Sequence, residues 1–210
     1  MHGYLVRQPW KHVVPGRSKT PEEEVDLVAV NPRGGETRLP SKLVWTSEDL
    51  RTVPRAVIAV RGWHTERFYT STFEQTPDIL RFAEPDSLKF AREILGPGPI
   101  AKILCLPRLP ASGDVKEQTI AMLRSKGVDG ALSFETILAE LVARVEPNRN
   151  YEKSSLLQVI RILKSYDLVR GPQMDLFIRG RRRRSAGKAR RGAEAPPAGQ
   201  PPKAAEAGEA

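Results

Sequence analysis

The chain has 210 residues, 40% of them hydrophobic, enough for one compact core of about 150 residues with a smaller appendage. It holds no run of about eighteen apolar residues, so no transmembrane helix is expected, and no apolar stretch near Met1 reads as a signal peptide. The formal net charge is +9; residues 179–210 carry nine Lys/Arg against three Glu, which places +6 in the C-terminal tail and leaves +3 for the rest. A basic excess of this kind favours polyanions, nucleic acid above all, through release of counterions. The single cysteine, Cys105, excludes an internal disulfide framework and fits a reducing, cytoplasmic setting. Its place in the apolar run 103–106 reads as a small buried hydrophobe rather than a nucleophile.

In chain order, residues 3–6 read as a first strand, with Trp10, Val13 and Val14 able to continue it as a ribbon. Pro15 and Gly16 signal a turn, and residues 18–23 read as polar loop. Residues 24–30 alternate as a strand stopped by Asn31 and Pro32. Alternation puts Glu24 and Asp26 on one face. Gly34 and Gly35 mark a turn, residues 39–45 an extra strand, and residues 47–49 a helix start. No Lys-Ser/Thr follows the glycine pair, so it is no phosphate-binding loop. Residues 55–62 form a short Val- and Ile-rich run closed by Gly62, the pattern of a buried strand. On that strand Ala59, Arg61 and Trp63 share a face.

Residues 64–77, rich in aromatic and hydroxyl side chains, read as loop. Pro85, Asp86 and Ser87 cap a helix over 88–95 that Gly96 and Pro97 end. Residues 101–106 read as a buried strand. Asp114 caps a helix over 115–125, ended by Gly127, and residues 128–134 form another strand. This strand–helix–strand order predicts a parallel crossover. Residues 135–145 and 154–168 carry apolar side chains at helical spacing, separated by a break at Pro147. The second of these, followed by Gly171 and an extended segment over 173–178, resembles the last helix and wing of a winged helix-turn-helix. The Arg-rich, then Pro/Ala/Gly-rich, end from residue 179 cannot build a core and reads as disordered.

Two segments carry a resemblance to a known family. Residues 25–29 (VDLVA) and 60–64 (VRGWH) are similar to the core of the PD-(D/E)xK nuclease superfamily, the fold of Holliday-junction resolvases and Mrr-type restriction endonucleases. That resemblance implies an α/β fold, a restriction-endonuclease-like mixed sheet flanked by helices over 1–134; the winged-helix-like helical segment then spans 135–178 and the disordered basic tail 179–210. Members usually carry a helix before the first strand, and none is predicted here. In the family an Asp on one strand and a Glu-x-Lys on the next hold Mg²⁺ and position the attacking water. Here Asp26 supplies the acid, but the Glu-x-Lys position reads Ala59, Val60, Arg61. Alanine cannot ligate a cation, and arginine does not lose its proton to act as a base.

The catalytic pair implied by the resemblance is therefore the degenerate Asp26 and Arg61. Mg²⁺ would need Asp26 together with Glu24, or a carboxylate or imidazole reaching in from Glu66, His64 or Glu74; without one of these, no cofactor is expected. The preferred arrangement pairs Arg61 with Asp26 as an ion pair in a former active site. His2 and His12 lack partners at zinc-ligand spacing and read as surface residues. The expected partner is DNA, with no membrane and with a homodimer allowed. The expected contacts are Arg61, Trp63, His64 and Arg67 near the cleft, Lys153, Arg161 and Lys164 on the last helix, and Arg181, Arg182, Arg183 and Arg184 in the tail. The leading expectation is a catalytically impaired, nuclease-like DNA-binding protein. The alternatives are an active Mg²⁺-dependent endonuclease and a non-enzymatic regulator or protein-interaction platform.

Overall fold

The computed structural model describes residues 3–9, 19–34, 39–62 and 67–169, all within one compact unit of the chain. Five strands form one mixed sheet: β1 (Leu5–Arg7), β2 (Leu27–Val30), β3 (Arg55–Val60), β4 (Ala101–Leu106) and β5 (Gly130–Ser133). Their order in space is their order in the chain. β1, β2 and β3 are antiparallel neighbours, whereas β3, β4 and β5 run parallel. Each parallel step needs a crossover. The first holds α3 (Thr70–Gln75), a 3-10 helix (Pro77–Ala83) and α4 (Pro85–Leu95); the second holds α5 (Gly113–Ser125). Short helices α1 (Pro21–Glu24) and α2 (Ser47–Leu50) precede β2 and β3, and α6 (Phe134–Arg144) and α7 (Ser155–Ser165) follow β5. Among the described residues no helix is long and apolar enough to cross a membrane.

At β4 the sheet is buried on both faces, which is why residues 103–106 read as an apolar run. Leu104 and Leu106 join a core with Val28, Val57, Phe68, Phe82, Ala91 and Leu123. Ile103 and Cys105 alternate to a second core with Trp45, Val53, Ala56 and Leu132. Where β5 begins, Gly130 leaves room for the Trp45 indole, which a Cβ there would strike. The indole N–H donates to the Lys42 carbonyl at 2.8 Å, so the ring is buried with its polar edge satisfied.

Several elements differ from the sequence expectation. The strand expected over 24–30 starts only at Leu27, and residues 21–24 of the expected strand and loop form α1. The reason is local: Thr20 and Glu23 make a capping box, the Thr20 amide donating to Glu23 at 2.7 Å, with Pro21 in the first helical position. The loop expected over 64–77 contains α3, and a 3-10 helix follows at Pro77–Ala83. Phe73, Ile79 and Phe82 are buried there beside Phe68, and this burial outweighs the weak helix propensity of the Thr/Ser-rich sequence. The extra strand expected over 39–45 is reduced to one parallel bridge, Val44 to Ala131. The strand expected over 128–134 is shortened to Gly130–Ser133, because Ser133 caps α6 by accepting from the Thr136 amide. The helix expected to reach residue 168 ends at Ser165. The wing expected over 173–178 and the basic tail lie outside the described residues.

Candidate functional site

Because β2 is antiparallel to β3, the start of one lies beside the end of the other. The Asp26 amide donates to the Ile58 carbonyl at 3.0 Å, which holds residue 26 next to the last residues of β3. There Asp26 Oδ2 accepts from the Val60 amide at 2.7 Å and from Arg61 Nη1 at 2.7 Å. The other terminal nitrogen of Arg61 donates to the Glu24 carbonyl at 3.1 Å and stands 3.6 Å from Glu24 Oε2. Arg81, from the 3-10 helix, approaches Glu24 Oε1 at 3.9 Å. The Arg61 side chain is 11% exposed, Glu24 4% and Asp26 21%.

The expectation that Glu24 and Asp26 share a strand face is corrected here, since Glu24 closes α1 and is not in a strand. Both carboxylates nonetheless meet at Arg61. Glu24 Oε2 is buried without a hydrogen bond and faces the guanidinium at ion-pair distance only. Arg61 is thus inserted between two buried or half-buried acids, the position a cation would need. Taking three charges out of water is costly, and only their mutual attraction and hydrogen bonds offset it.

This arrangement does not fit Mg²⁺. The ion needs near-octahedral oxygen ligands at ~2.1 Å, and a fixed guanidinium already lies against both carboxylates. Ala59, fully buried in the core with Val57, offers no oxygen. Among the described residues no cluster of three His, Cys, Asp or Glu forms a metal cage. Cys105 lies next to the site: its carbonyl accepts from the Arg61 amide at 2.9 Å. Burial first, and then the negative charge of Asp26, push its thiol up to about 12. It is therefore protonated and unreactive at neutral pH.

No protein-family model, no curated protein and no solved structure matches this chain.

The other expected contacts are distributed differently. Trp63, His64 and Glu66 lie outside the described residues, as do Arg181, Arg182, Arg183 and Arg184. Glu74 is exposed on α3. Arg67 is half-buried, pairs by a bridge with Arg108 and donates to the Leu109 carbonyl at 3.1 Å. Lys153 is exposed ahead of α7, whereas Arg161 is half-buried with its Nε enclosed. Lys164 donates to the carbonyls of Val142 and Val145 at 2.8 and 2.6 Å. It therefore satisfies the open carbonyls at the end of α6. The sequence does not point to Arg81 or Arg108. Arg81 lies in a stretch that reads from sequence without a helix. Arg108 follows β4 much as Arg61 follows β3, and the parallel register of Val60 with Cys105 is the signal that would have found it.

Proposed function

We propose that the chain is a DNA-binding protein built on a restriction-endonuclease-like core whose catalytic place is closed by Arg61. The observation that carries this reading is the Arg61 guanidinium lodged between Asp26 and Glu24. It supports a core that keeps the family's acid at the start of β2 but holds a permanent organic cation where a hydrolytic enzyme would bind a metal. The three antiparallel strands followed by parallel ones agree with the fold the resemblance implies. DNA is supported by the charge: residues 179–210 carry +6, and Lys153 is exposed.

Fluorescence anisotropy with duplex, branched and single-stranded DNA across a salt series tests it. Affinity should fall steeply with salt, with a slope near 0.9 per neutralised phosphate on duplex. Affinity indifferent to salt overturns the reading. Plasmid and branched DNA should stay intact with Mg²⁺ or Mn²⁺, beside an Asp26→Ala control. Cleavage that disappears in that control would instead establish an active enzyme.

A protein-interaction platform is the second reading, and α7 favours it. Leu156, Val159 and Tyr166 are 54%, 52% and 74% exposed on that helix and its cap, and their spacing places them along one helical stripe. A partner retained after nuclease treatment, and absent with a Leu156→Glu/Val159→Glu chain, would support this reading over DNA binding.

A further inference from the structure

Away from the Asp26–Arg61 cluster, α2 and α6 line a half-open cavity of about 170 Å³ against the end of β5. Its walls are Leu50, Leu132, Ile137, Leu141 and Val145, with Ser47, Thr136, Glu140 and Arg144 around them. It adjoins the second core, to which Leu132 belongs and against which Leu50 and Ile137 pack. Each of the four polar side chains already has a partner. Arg144 Nε donates to Glu140 at 2.8 Å, another guanidinium nitrogen donates to Ser47 Oγ at 3.3 Å, and the Thr136 hydroxyl bonds that of Ser133 at 2.8 Å. The charges of Glu140 and Arg144 neutralise each other at the rim, so neither a cation nor an anion gains by entering.

From volume, lining and this satisfied rim together, we infer that the cavity is a binding site for one uncharged, ring-sized apolar ligand. An engineered cavity of about 150 Å³ with the same kind of lining takes up benzene, and drug-sized ligands need pockets of ~300 Å³ or more. The occupant is therefore one small aromatic or alicyclic ring system, single or fused, with no ionised group. The site does not depend on the DNA reading.

The test is saturation-transfer NMR on the full chain with toluene and indole, beside benzoate, benzylamine and N-acetyl-phenylalanine amide. Toluene and indole should bind, and the two charged rings should bind at least about tenfold more weakly, since an unpaired charge is costly to desolvate. Ile137→Phe, which fills the cavity, should abolish the signal; Leu141→Phe gives the same readout if the first variant does not fold. The inference is overturned if neither neutral ring binds, if the charged rings bind as well, or if binding survives in the filled cavity. It is also overturned if only the peptide-borne ring of N-acetyl-phenylalanine amide binds, which would make the cavity a socket for a partner's side chain.

Discussion

Arg61 and Asp26, 35 residues apart in sequence, are joined by a 2.7 Å hydrogen bond at the point where β2 begins and β3 ends. The pair is not a surface decoration. The Arg61 side chain is 11% exposed, and Glu24 depends on it for its nearest counter-charge. Removing Arg61 leaves two carboxylates in a poorly solvated place. Arg61→Ala should therefore destabilise the chain by ~3–5 kcal/mol, read as a shift in the urea midpoint at neutral pH. An Arg61→Met/Asp26→Asn/Glu24→Gln chain should regain much of that stability, because no unpaired charge stays behind. If Arg61→Ala unfolds at the wild-type midpoint, the cluster contributes nothing to the fold.

The same cluster predicts the behaviour of Cys105. Its thiol is pushed up to about 12 by burial and then by Asp26. A raised thiol favours the protonated folded state, so its contribution is fully present below the unfolded value near 9. It is lost as pH rises through the folded value. Stability measured from about pH 8 to 11 should fall, and a Cys105→Ala chain should fall less steeply. In the native protein at about pH 8 a thiol reagent should react far more slowly than in urea. Equal rates in both would show that the thiol is not enclosed.

Trp45 and Gly130 set a packing constraint at the sheet edge. The indole occupies the space a Cβ at residue 130 would need, while the backbone on both sides is pinned by bonds from Trp45 to Ala131 and from Ala131 to Leu43. Gly130→Ala must therefore move an aromatic ring that is fully buried. Overpacking of this kind costs ~1–3 kcal/mol. Thermal denaturation of Gly130→Ala should show the drop, and Trp45→Leu in the same chain should relieve part of it.

How far these relationships can be read from the sequence depends on the physics behind each. β4 is legible at its observed bounds, Ala101–Leu106, because burial on both faces writes the apolar run 103–106. α4 is legible from its stripe and from Gly96, which ends it at φ 74. The Asp26–Arg61 pair follows from two adjacent strands and opposite charges. Glu24 reaches the same guanidinium by another route, because a four-residue helix with a capping box overrides the alternation that would place it in a strand. α3 and the 3-10 helix are hidden because their stability comes from Phe73, Ile79 and Phe82 meeting Phe68, a tertiary effect with no local signature. The carbonyl partners of Lys164 are hidden for a similar reason: nothing in its own helix shows that they belong to the preceding one.

Lys164 supplies the sharpest contrast between a structural and a DNA-facing cation. Its ammonium bonds the carbonyls of Val142 and Val145, at the end of α6 where a positive charge also meets the negative pole of the helix. Lys164→Met should lower stability by ~0.5–2 kcal/mol and leave the salt dependence of DNA affinity unchanged. Replacing Arg181, Arg182, Arg183 and Arg184 together by Ala should do the reverse. The melting temperature should stay put, while the slope of log affinity against log salt should shrink by up to about 0.9 for each phosphate that is no longer neutralised. Calorimetry and anisotropy on the two chains separate the effects. If Lys164→Met lowers the salt slope by about one without any drop in stability, its ammonium faces phosphate in the complex and the α6–α7 join opens on binding.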